Sequence, residues 1–107
     1  MRIKIQFENG KEVIFEEALI DNVRRLKVIQ SDYPDILDYY AGYLGNFRYF
    51  ERPSDCDYLD GKSKDEIANS ILDKKVLVYH KSGRNSLIRH KIKHLWLKNF
   101  WFWRQVF

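Results

Sequence analysis

The chain holds a single cysteine, Cys56, among 107 residues, so no disulfide can form within it. A small secreted domain usually carries an even set of cysteines, and the expectation is therefore an intracellular, cytoplasmic setting. Two prolines and five glycines leave little material for long flexible linkers. No apolar run approaches the roughly 18 residues of a membrane span. Lys98, Asn99 and Arg104 interrupt the Leu-Trp-Leu and Phe-Trp-Phe-Trp runs. The opening residues, Met-Arg-Ile-Lys-Ile-Gln-Phe, alternate charge with apolarity and lack the unbroken apolar stretch of a signal peptide. Acidic residues are missing from the last third, because none of the fifteen follows Asp73.

That last absence divides the chain. Residues 1–74 carry eleven basic and fifteen acidic residues, a formal charge of −4. Residues 75–107 carry eight Lys/Arg and no carboxylate side chain, a charge of +8, together with all three histidines and all three tryptophans. The whole is 45% hydrophobic and 16% aromatic at a net charge of only +4. Such a composition supports a packed core rather than disorder, and the length fits one domain.

Met1 to Phe15 reads as a β-hairpin. Ile3, Ile5 and Phe7 alternate with polar residues, Asn9-Gly10 makes the turn, and Val13 and Phe15 follow. A two-residue turn would set Val13 and Phe15 opposite Gln6 and Lys4. A three-residue loop, Glu8-Asn9-Gly10 with Gly10 left-handed, pairs Ile5 with Val13 and Ile3 with Phe15, collecting five apolar residues on one face. The second register is expected.

Leu19, Val23 and Leu26 repeat at helical spacing, with Ile20 beside them, and predict a helix over residues 16–30. Ser31 or Asp32 followed by Pro34 and Asp35 predicts the start of a second helix. Its apolar face is Ile36, Leu37, Tyr40 and Leu44, and Gly45 or Asn46 ends it. Residues 47–50 suggest a short strand stopped by Pro53, and residues 54–62 an acidic loop. Ser63-Lys64-Asp65-Glu66 is a capping box for a helix that faces Ile67, Ile71 and Leu72 inward. Residues 75–80 are short, apolar and β-branched, hence a strand, and residues 81–84 a turn. Asn85 or Ser86 opens either a helix to about Lys98, with Ile88, Ile92, Leu95 and Trp96 as its face, or a pair of strands in which residues 100–103 form the last. The helix is the favoured expectation. Together these elements predict a single compact α+β domain: an N-terminal hairpin, two to four helices and a small, mainly antiparallel sheet.

The basic, aromatic third carries the main functional expectation. Lys and Arg neutralise phosphates, while Trp, Phe, Tyr and His rings offer stacking platforms to unpaired bases. The candidate contact residues for nucleic acid or a partner are Arg84, Arg89, Lys91, Lys93, His94, Lys98, Trp101, Trp103 and Arg104. The competing reading buries the Trp and Phe residues in the core and pairs the basic residues with the acidic part of the same chain.

Other chemistry is thinner. His90 and His94 have the spacing that places two imidazoles on one helical face, but no Glu makes an HExxH motif and the surroundings are cationic, so no metal is expected. His80, Arg84, His90 and His94, with Lys91, supply the parts of a metal-independent ribonuclease: a base, an acid and a cationic clamp. Residues 55–61 with Glu66 approximate a calcium loop but fail in register, since Leu59 stands where an oxygen ligand is needed and Asp60 where glycine is needed. Asp55 and Asp57 disfavour a Cys56 thiolate. Tyr33, Tyr39, Tyr40, Tyr43, Tyr49 and Tyr58 exceed what one helix face can bury, and suit a protein interface.

The expected function is a small intracellular binding protein without catalysis or cofactor. It would contact nucleic acid, RNA first, or a nucleic-acid-handling protein through the basic aromatic third. Composition of this Lys/Ile/Tyr/Asn-rich kind is common among short phage and mobile-element accessory proteins, a class that includes inhibitors of host defence nucleases. The alternatives are an endoribonuclease toxin using the histidines and a structural homo-oligomer joined through its aromatic C-terminus.

Overall fold

The protein is described from a computed structural model, which covers residues 1–20, 22–34, 36, 39–44, 59, 61–72, 75–80 and 85–107. Eight strands and one helix appear among them: β1 (Arg2–Phe7), β2 (Glu12–Ile20), β3 (Val23–Ser31), β4 (Tyr39–Leu44), α1 (Lys64–Leu72), β5 (Lys75–His80), β6 (Asn85–Ile88), β7 (Ile92–Asn99) and β8 (Phe102–Gln105). The strands form one antiparallel sheet in the order β6-β5-β4-β3-β2-β1-β7-β8.

The first hairpin has the expected register. Ile3 pairs with Phe15 and Ile5 with Val13. Gly10 has φ 84°, and its N–H donates to the Phe7 carbonyl at 2.9 Å. A left-handed residue at the end of a three-residue loop is the bulge that glycine permits without a Cβ penalty.

The connection from β6 to β7 dictates the shape of the sheet. These strands lie six steps apart in the strand order. Laid flat, that would separate them by about 29 Å, at ~4.8 Å per strand. Only residues 89–91 join them, and Ile88 to Ile92 reaches at most about 14 Å. The sheet must therefore curl until its β6 edge approaches β7. Two register shifts help it bend, one between Ile14 and Phe15 against β3 and one between Gln6 and Phe7 against β7. Helix α1 sits inside the curl and touches both β5 and β7.

The core fills the concave side. Ile3, Ile5 and Phe7, Val13 and Phe15, Leu26 and Val28, Val76, Ile88, and Leu95 and Leu97 project there from six strands. Ile67, Ala68 and Ile71 of α1 meet them, with Ile36 and Leu59. Helix α1 begins as expected: the Glu66 N–H donates to Ser63 Oγ at 3.2 Å. β5 occupies the expected residues 75–80.

Three expected helices are strands, which leaves one helix among the described residues, so the expectation of two to four is not confirmed. Residues 16–30 lie in the β2–β3 hairpin, whose two-residue link contains Asn22 at φ 63°. The Leu19–Val23–Leu26 spacing matched a helix by accident. Leu19 is exposed, and the inward residues Val13, Phe15, Leu26 and Val28 keep the two-residue period on each strand. At the expected second helix, Ser31 closes β3, its Oγ accepts the Tyr33 N–H at 2.9 Å, and residues 39–44 are β4. Tyrosine-rich segments favour a pleated surface when neighbouring strands stand ready. Residues 85–98 form β6 and β7, the alternative strand reading. In β7, Leu95 and Leu97 face in while His94, Trp96 and Lys98 take the other side. The expectations for residues 45–58 and 81–84, Cys56 and Arg84 included, lie outside the described residues. Among the described residues no helix is long and apolar enough to cross a membrane.

Candidate nucleic-acid interface

The convex face of β1, β7 and β8 gathers the chemistry. Strand alternation sends Ile3, Ile5 and Phe7 inward and Arg2, Lys4 and Gln6 outward. Across β1–β7, Lys4 stands opposite Trp96 and Gln6 opposite His94. Across β7–β8, Trp96 stands opposite Gln105 and Lys98 opposite Trp103. Residues paired directly share a face, so one patch carries Lys4, His94, Trp96, Lys98, Trp103 and Gln105.

The patch is organised around Lys4. Its Nζ lies 4.6 Å from the centroid of the Trp96 ring and 4.9 Å from that of Trp103. Lys98 Nζ lies 5.7 Å from the Trp103 ring. These are cation–π distances, each worth about 0.5–1 kcal/mol at a partly exposed site. His94 packs against Trp96 at 5.5 Å, and its Nδ1 lies 3.1 Å from Gln105 Nε2. Both Trp96 and Trp103 are half-buried, with part of each ring reaching the surface.

Beyond the patch the β7–β8 turn projects Phe100 and Trp101, 87% and 85% exposed. Asn99 pairs with Phe102, which makes this a two-residue hairpin turn. Phe100 has φ 55°, where glycine or asparagine is the ordinary choice. Phe102 and Phe107 are also exposed, and among the described residues β8 is an edge strand, paired to β7 alone.

The residues singled out in the sequence divide between this patch and other places. His94, Lys98 and Trp103 are in it, and Trp101 is at the adjoining turn. Arg104 pairs instead with Asp65 of α1 at 3.1 Å. Arg89 and Lys91 are exposed in the β6–β7 link, where the Lys91 N–H donates to Glu8 Oε1 at 3.3 Å. Lys93 is the extra residue of the β7 bulge and is exposed. The pairings of Arg104 with Asp65 and of His90 with Glu8, at 3.8 Å, realise part of the internal acid–base contact that the charge segregation suggested.

The histidines do not share a helical face. His90 sits in the bend before β7 and His94 on β7 itself, so the geometry behind a two-imidazole metal site is gone. His80 closes β5. Among the described residues no three His, Cys, Asp or Glu side chains group as metal ligands.

Lys4 and Trp96 were not singled out as contact residues. Lys4 lies in the acidic part of the chain, and Trp96 read as one face of an amphipathic helix. Their signal was the strand alternation of the first hairpin, which leaves Lys4 pointing away from the core. No protein-family model, curated protein or solved structure matches this chain.

Proposed function

We propose that the protein is a non-enzymatic module that holds unpaired nucleic acid, RNA in the first instance, on the convex face of β1, β7 and β8. The observation behind this reading is the cluster of two tryptophan rings interleaved with Lys4 and Lys98 on one sheet face. Unpaired bases expose flat apolar faces that stack on indole, and the strand carries one phosphate per nucleotide for the lysines. A duplex hides its base faces, which favours a single strand as the occupant. An accessory protein of a phage or mobile element that inhibits a host defence nuclease would use such a surface.

All three tryptophans lie on β7, β8 and their turn, so their emission reports on this region. Titration with single-stranded RNA is expected to quench it, with an affinity that falls steeply as salt rises. RNA recovered afterwards is expected intact. Unchanged emission at low salt would overturn the reading, and cleaved RNA would move it to the ribonuclease alternative.

A second reading has its own observation. The exposed Phe100, Trp101, Phe102 and Phe107 beside β8, an edge strand among the described residues, suit pairing with a second copy. Sedimentation analysis decides this: a dimer that Trp101→Ala breaks favours the oligomer, and a monomer at all concentrations excludes it.

A further inference from the structure

A cleft of about 420 Å³ opens where the β7–β8 turn, the start of β1 and the start of α1 meet. Met1, Arg2, Glu16, Lys64, Lys98 and Phe100 line it. Among the described lining residues, three basic side chains stand against one carboxylate, a formal +2 for the side chains, and Glu16 is already engaged by Arg2 Nε at 3.2 Å. The acids adjacent in sequence to lining residues are engaged elsewhere, Glu17 by Arg24 and the Met1 ammonium and Asp65 by Arg104. The Arg104–Asp65 pair also ties the β7–β8 hairpin to α1, holding Lys64 on the same cleft as Phe100.

We propose that this cleft receives the phosphorylated end of a nucleic-acid strand. The inference rests on the reading of the convex face as a single-strand surface, and it names the group that the strand presents at one end. Lys64, Lys98 and Arg2 supply charge-assisted hydrogen bonds to a terminal phosphate, whose extra negative charge an internal phosphodiester lacks. Phe100 supplies a stacking ring for the terminal base. Its left-handed backbone places an aromatic side chain where the turn prefers glycine, as happens where a strained residue serves a ligand. Lys98 belongs both to the cleft and to the Trp103 patch, so a strand leaving the cleft runs directly onto the tryptophan face.

The test compares one oligoribonucleotide carrying a 5′-phosphate, a 3′-phosphate or hydroxyls at both ends, with adenosine monophosphate as a fourth ligand. One phosphorylated form is expected to bind about tenfold tighter than the hydroxyl form, as one or two charge-assisted contacts would give. Which form it is identifies the strand polarity. Lys64→Ala should shrink that gap while the affinity for the hydroxyl form stays within about twofold, since Lys64 belongs to α1 and not to the sheet face that carries the tryptophans. Phe100→Gly should weaken all three oligonucleotides alike, since each presents a terminal base. Equal binding of all three oligonucleotides would overturn the cleft and leave the face standing. No binding by any oligonucleotide would overturn both. Adenosine monophosphate binding as tightly as the phosphorylated strand would overturn the strand end in favour of a free nucleotide.

Discussion

Lys4 and Trp96 stand opposite each other on neighbouring antiparallel strands, and the lysine ammonium lies 4.6 Å from the indole centroid. The pair joins the acidic part of the chain to its basic third. The same ammonium reaches the Trp103 ring, so one cation orders two aromatic side chains. Lys4→Ala should alter tryptophan emission in the free protein and lower stability by about 1–2 kcal/mol. It should also weaken RNA binding and reduce the salt slope by about one. Denaturant titration and binding at three salt concentrations check these outcomes. An unchanged slope would remove Lys4 from the phosphate contacts.

Phe100 separates stability from binding. Its φ of 55° costs an L side chain about 1 kcal/mol that glycine does not pay. The ring is almost fully exposed, so removing it loses little packing. Phe100→Gly should therefore raise the unfolding midpoint while weakening the hold on a phosphorylated strand end. A lower midpoint would show that the ring packs usefully on its surroundings.

Gly10 tests backbone strain without a steric contribution. A Cβ built there meets nothing within 4 Å, yet φ is 84°. Gly10→Ala should destabilise by about 1–2 kcal/mol, entirely through the left-handed torsion. Thermal unfolding measures it, and a neutral result would mean that the loop relaxes into another turn.

Ser63→Ala removes the oxygen that accepts the Glu66 N–H at the start of α1. A loss of about 1 kcal/mol is expected, the ordinary worth of an N-cap. Circular dichroism during denaturation follows both the helix and the whole fold, because Ile67, Ala68 and Ile71 tie the helix to the core.

Leu95 and Lys93 lie two residues apart on β7, and Lys93 is the extra residue of its bulge. Leu95 is fully buried, and Leu95→Ala should cost about 2–5 kcal/mol. Lys93→Ala should change stability by less than about 0.5 kcal/mol, as an exposed surface substitution does. Comparable losses at both positions would contradict the strand register.

The amino-acid sequence by itself determined what neighbours in the chain decide. The Asn9-Gly10 loop, with two apolar runs of matching phase, leaves one sensible register for the first hairpin. Ser63 to Glu66 caps a helix with its own side chains, and residues 75–80 are too short and β-branched for anything but a strand. The concentration of positive charge and tryptophan after Asp73 is likewise a property of the sequence. The tertiary structure decided between helix and strand over residues 16–31, 39–44 and 85–98. A helix satisfies its backbone groups within its own segment, so local spacing can suggest one. A strand needs a partner, and β7 finds its partners in β1, from the far end of the chain, and in β8. That same remote pairing sets Lys4 against Trp96 and Trp103. Local spacing carries no record of it, because the sheet must curl before the two ends of the chain can meet.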